Sequence, residues 1–383
     1  MGPCDSFTVS SCAVPNWTDL RRDFPALERY VYLNAAAGSP TPRPVAEAVA
    51  KFYREMESAG GLLWDAWLAR REVIRVKVAR LVGAEPEEIA FVANASAGMN
   101  LVADLLAGEG PVLTDEIEFP TVTLPWIHRG VQVHFVPVVE GVLRLESFSA
   151  ADAPKAATIA ISHVQYSNGC RQDLDAFGSM KEGRRLVVCG SQSTGAFPID
   201  VRASRIDALA TSGHKWLCAG YGASFLYVSR EVLDKHPPKS IGWLSVDDAF
   251  AFDNQRYTLL SSNRRTEMGC PSFPAIFALG AAVDYLTTIG IDAIAERVLE
   301  LNMYLTQRLL REGFVVLSPD GPHRSGETLV EEADPRRLER FLRDRAMLVT
   351  RKPQGIRIST HFYNNEADID ACVGALQEYR KTL

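Results

Sequence analysis

From Glu88 to Val228 the chain repeats one pattern, a short apolar run followed by a longer stretch whose apolar positions recur at helical spacing. The runs 89–93, 112–113, 131–138, 158–163, 185–189 and 223–228 are rich in β-branched residues and read as strands, and a helix opens at Ala97. Strands this uniformly apolar are buried on both faces, which implies an α/β fold built on a mostly parallel sheet with helices on either side. Ligands of such sheets bind beyond the carboxyl ends of the strands, so the loops after 93, 163, 189 and 211 are expected to converge. After Gly269 the texture changes to helices at 273–289 and 291–312, strands at 314–317 and 327–331, and a helix at 335–345. Paired strands at 347–349 and 355–359 and a helix from Glu366 complete this part. The pattern divides the chain into a large domain at 26–270 and a smaller α+β domain at 271–383, which an N-terminal arm, 1–25, joins.

Composition narrows the partners. The 383 residues carry 41 basic and 47 acidic side chains, a net charge of −6, with no basic block to meet nucleic acid or an anionic membrane. The most apolar stretch, 273–291, contains Pro274 and Asp284 and reads as a buried core helix, not a membrane span. The first fifteen residues lack the charged and apolar regions of a secretory signal. Seven cysteines, at 4, 12, 170, 189, 218, 270 and 372, are odd in number and never spaced CxxC, so no metal site is expected and reduced thiols in a cytoplasm fit best. A small-molecule ligand remains.

Of nine lysines, Lys215 stands apart, in Ala208-Leu-Ala-Thr-Ser-Gly-His-Lys-Trp-Leu-Cys-Ala-Gly-Tyr-Gly-Ala223, a window with no other full charge. Burial without a carboxylate partner lowers a lysine pKa, and the neutral amine attacks carbonyls to form a Schiff base. A lysine snorkelling off a strand end fits the same window. Here the residues match a family: Thr211-Ser-Gly-His-Lys215-Trp resembles the cofactor-lysine motif of class V aminotransferase-like enzymes. These fold type I pyridoxal phosphate enzymes include cysteine desulfurases and isopenicillin N epimerase. Tyr32-Leu-Asn-Ala-Ala-Ala-Gly38, Asn94-Ala-Ser-Ala-Gly-Met-Asn100, Val188-Cys-Gly-Ser-Gln192, Arg265-Thr-Glu-Met-Gly-Cys-Pro271 and Gly355-Ile-Arg-Ile-Ser-Thr-His-Phe-Tyr-Asn364 match further blocks in the family's order, over nearly the whole chain.

The resemblance implies a seven-stranded-type sheet, pyridoxal 5′-phosphate on Lys215, an α-amino acid as substrate and a homodimer with shared active sites. Ser96 and Ala97 open a helix whose free N–H groups suit the phosphate; Ser212 and His214 are implied to reach it too. By the same likeness Gln192 bonds the ring hydroxyl, Phe119 stacks on the ring where desulfurases carry histidine, and Tyr166 stands where they keep asparagine. Arg357 grips the substrate α-carboxylate and Ala36 lies on the substrate side. Three departures bear on chemistry. Cys189 occupies the position of the aspartate that pairs with the pyridine nitrogen, and a neutral thiol stabilises a protonated ring far less. Cys270 replaces a threonine that contacts the partner's phosphate, and 347–357 lacks the cysteine that desulfurases aim at sulfur. The expectation is therefore β-elimination of the C–S lyase type on a cysteine-derived amino acid. An aminotransferase, an epimerase of the isopenicillin N type and a catalytically weakened cofactor-binding protein are the alternatives.

Overall fold

The computed structural model describes residues 15–150 and 156–383. The first fourteen residues of the arm, with Cys4 and Cys12, lie outside the described residues. Strands β1 (Val31–Tyr32), β2 (Ile89–Val92), β3 (Val112–Asp115), β4 (Val133–Val136), β5 (Thr158–Ser162), β6 (Arg185–Cys189), β7 (Ala208–Ala210) and β8 (Ser224–Val228) come first in the chain. The last seven form one sheet in the order β2-β8-β7-β6-β5-β3-β4. All neighbours pair in parallel except those of β8, which runs antiparallel to both β7 and β2. The expected mostly parallel, seven-stranded α/β fold is thus observed. Every residue of β3, β5, β6, β7 and β8 except Arg185 is buried, as runs without polar alternation require when helices cover both faces.

The C-terminal part holds β9 (Glu327–Glu331), β10 (Met347–Leu348), β11 (Thr350–Lys352) and β12 (Gly355–Ser359). Its three-stranded sheet runs β11-β12-β9. Two expectations change here. The segment 347–349 does not pair with 355–359: β10 runs parallel to β1, and β11 takes the place beside β12. The strand expected at 314–317 is reduced to one antiparallel bridge, Val316 to Val330, because Ser318 Oγ takes the Leu329 N–H that a ladder would use. The apolar stretch is the helix Phe273–Ile289, buried at nine positions and packed on the helices Arg43–Ala59 and Trp64–Val82. Among the described residues no single helix is long and apolar enough to cross a membrane.

Candidate active site

All the sheet strands except β8 end on the same side, and the loops that follow β2, β3, β5, β6 and β7 line a cavity of about 450 Å³. Its lining includes Ala36, Ser96, Phe119, Tyr166, Cys189, Gln192, Ser212, His214, Lys215 and Arg357, so ten of the twelve expected site residues converge. Two do not. Ala97 and Cys270 line a neighbouring depression instead. Ala97 N–H is not free, since it donates to Asn94 Oδ1 at 2.9 Å. Cys270 is exposed with Met268 and Gly269 at the tip of a loop whose base is fixed by Arg265, which donates to the His236 carbonyl at 2.8 Å, and by Glu267.

Lys215 follows β7 in a turn held tightly against β8. Gly213 donates to Ser224 Oγ at 2.9 Å, and a Cβ on it would stand 1.5 Å from the Ala223 carbonyl oxygen, so only glycine fits. The Lys215 amine lies 5.9 Å from the Phe119 ring centroid. Burial, opposed by Cys189, pushes its pKa down, with Arg357 adding to the depression. A second glycine brings the helix Ala95–Leu106 close: Gly98 has its Cβ position 3.0 Å from Ala210 Cβ. Ser96 Oγ sits at that helix's first turn, 2.6 Å from Thr121 Oγ1. His214 stacks on Tyr221, 4.5 Å between ring centroids, and burial lowers its pKa to about 4, so the ring is neutral.

On the floor, Cys189 ends β6 in register with Ser162 on β5. Its Sγ lies 3.2 Å from Ser191 Oγ, which is 3.0 Å from Ser212 Oγ. Burial first, and Glu118 behind it, raise the thiol's pKa, while the Ser191 contacts lower it less, so the group is neutral. Glu118 is fully buried and accepts from Ser162 Oγ at 2.7 Å, and Gln165 Nε2 bridges it to Asp115 at 2.8 Å each. Gln192 donates to the Ala36 carbonyl at 3.0 Å and accepts from Trp216 Nε1 at 2.9 Å, which leaves one amide hydrogen.

On the opposite wall Arg357 is 3% exposed. It donates to the Tyr166 carbonyl at 2.7 Å and lies 3.0 Å from Glu327 Oε2, while its Nε has no partner. Glu327 is equally buried, and burial raises its pKa against the pull of Arg357. Tyr166 packs edge-on to Phe119, centroids 4.9 Å apart, and Lys352 Nζ stands 4.2 Å from the Tyr166 centroid. The sequence reading missed Thr121, Ser191, Glu327 and Lys352. Ser191 lies inside a block that was recognised and Thr121 two residues after Phe119, so only their roles went unread. Glu327 and Lys352 sit in ordinary strand and turn contexts that carry no local signal.

The arrangement fits pyridoxal phosphate. An amine without a hydrogen-bond partner faces the cavity, a helix N-terminus with a serine stands at one end, and an arginine with an unpartnered buried nitrogen stands at the other. The model of the class V aminotransferases matches residues 31–372. A probable cysteine desulfurase of Pyrococcus abyssi is 29% identical over 95% of this chain and 98% of its own. An isopenicillin N epimerase of Amycolatopsis lactamdurans is 29% identical over 95% of this chain and 99% of its own. The solved cysteine desulfurase of Thermococcus onnurineus superposes with a TM-score of 0.88 at 26% identity, covering 97% of this chain and all of that one. The chain belongs to the class V aminotransferase family and is a cysteine desulfurase-like, pyridoxal phosphate-dependent enzyme of fold type I.

Proposed function

We propose that the enzyme cleaves the Cβ–S bond of a cysteine-derived α-amino acid by β-elimination. The observation that carries this reading is the neutral Cys189 thiol, buried beside Ser191 at the position where the family keeps its ring-nitrogen aspartate. When bound, pyridoxal phosphate supplies an electron sink for the carbon attached to the substrate amine. Reactions that hold electrons on the ring for long depend most on a charged partner for its nitrogen. Elimination depends on it less, because the electron pair leaves with the sulfur.

The chain's own groups divide the remaining work. Lys215 would hold the cofactor, and its amine, with its depressed pKa, would take the Cα proton. Ser96, Ser212 and His214 would hold the phosphate, Phe119 would lie against the ring, and the remaining Gln192 amide hydrogen would be free to donate to it. The free edge of Arg357 takes the α-carboxylate, its other edge being held by Glu327 and Tyr166. Breaking Cα–H and Cβ–S forms a carbon–carbon double bond. Sulfur departs with the bonding pair and receives the proton from Lys215, and the released enamine adds water to give pyruvate and ammonia. A persulfide route has less support: among the five described cysteines only Cys189 lines the cavity, and its thiol pKa is raised.

We further propose a homodimer in which 268–270 of one chain completes the phosphate site of the other, with domains at 26–270 and 271–383, an arm at 1–25 and a cytoplasmic location. The exposed Ser96 and the exposed loop tip at Cys270 support the shared site. Incubation with S-alkyl cysteines tests the reaction: pyruvate and thiol in equal amounts support it, whereas a keto acid that retains the sulfur, or a racemised substrate, identifies a transaminase or an epimerase.

A further inference from the structure

We propose that Lys352 binds a second anionic group on the substrate side chain, so that the preferred substrates are cysteine thioethers ending in a carboxylate. The inference rests on the reading of Arg357 as the α-carboxylate site and adds the substrate class.

The substrate half of the cavity holds more cations than its chemistry requires. Lys215, Lys352 and Arg357 line it, and the acid beside them, Glu327, lies 3.0 Å from Arg357 NH1. Lys352 forms no ion pair or side-chain hydrogen bond with any described residue, and its ammonium stands 4.2 Å from the Tyr166 ring centroid. Burial and Arg357 push its pKa down, Glu327 opposes them and Lys215 adds to them, leaving it at about 8, so most of it stays protonated at neutral pH. A half-buried ammonium on an aromatic face, without a carboxylate, is an anion site lacking its anion.

Strand register sets the spacing. Thr350 on β11 is the partner of Arg357 on β12, and Lys352 lies two residues beyond Thr350. Side chains two apart share a sheet face, so Lys352 and Arg357 present their charges on one face, about 7 Å apart along the strand direction. An amino acid whose α-carboxylate meets Arg357 then has the Lys352 ammonium within reach of its side-chain end, on the same face and beside the Tyr166 ring. An S-carboxymethyl group places a carboxylate there, and an S-ethyl group of nearly the same size does not.

The test compares S-carboxymethyl-L-cysteine with S-ethyl-L-cysteine on the holoenzyme. The wild type should favour the carboxylated thioether in kcat/KM, and Lys352→Met should reduce that preference by about tenfold or more, the usual scale for losing a charge-assisted contact. Lys352→Arg should retain it. The visible absorbance of the bound cofactor reports whether each variant keeps its site, and Lys352→Gln replaces Lys352→Met if the latter does not fold. An unchanged preference in a cofactor-loaded Lys352→Met or Lys352→Gln enzyme overturns the proposal. If neither thioether is cleaved, the lyase reading fails alone, and the same ratio is read from the dissociation constants of the two compounds by spectral titration.

Discussion

At Cys189 a thiol stands where the family resemblance places a carboxylate, and the consequence is measurable. Cys189→Asp places a carboxylate on the cavity floor beside Ser191 and near Lys215, which stabilises a protonated ring nitrogen. We expect that variant to shift the visible spectrum formed with an amino acid and to raise amino-group transfer relative to pyruvate release. An unchanged spectrum and product ratio would mean that another group already serves the ring nitrogen. The proposed substrate role of Arg357 and its pairing with Glu327 can be separated by mutation. Arg357→Ala removes the substrate's carboxylate partner and leaves Glu327 buried without its cation, a loss of up to about 3–5 kcal/mol in stability for a broken buried pair. Adding Glu327→Gln should restore the melting temperature but not the substrate KM; recovery of both would place the carboxylate site elsewhere.

At the scale of elements, β3 and β5 are tied by acids that the sheet buries. Asp115 ends β3, and burial together with Glu118 raises its pKa to about 9. A carboxyl that is protonated when folded and ionised when unfolded stabilises the fold fully below its ordinary pKa of ~4 and loses that contribution as pH rises toward the folded value. The melting temperature should therefore fall between about pH 5 and pH 9. Asp115→Asn should flatten that decline, and an equal decline in the variant would assign it to other groups.

The same elements mark what the sequence made legible. Continuous apolar runs announced the central sheet, but Ala208–Ala210 has only three residues, none β-branched, and was legible only as the strand end before the loop after 211, without bounds of its own, although it delivers Lys215. The pairing of β10 with β1 joins positions more than three hundred residues apart, beyond the reach of local pattern. Eight of the ten expected residues that line the cavity lie in order-preserving blocks, and Phe119 and Tyr166 were placed by likeness outside them. Lys352, in Thr350-Arg-Lys-Pro-Gln354, looks like any solvated turn residue until the hairpin folds it over Tyr166.

For the whole molecule, the proposed two-fold arrangement makes each pocket depend on both chains. Mixing a Lys215→Ala chain with a chain altered across 268–270 should return part of the lost activity, because one of the two sites in a heterodimer is then free of both defects. A verified heterodimer without activity would contradict shared sites. Beneath all of these expectations lies the placement of the cofactor on Lys215, and one measurement reads it directly. Borohydride reduction of the holoenzyme should fix the cofactor to Lys215, block tryptic cleavage after it, and yield the segment 206–230 as one peptide heavier by the pyridoxyl phosphate group. The same mass on a peptide containing any other lysine, Lys352 included, would contradict the account.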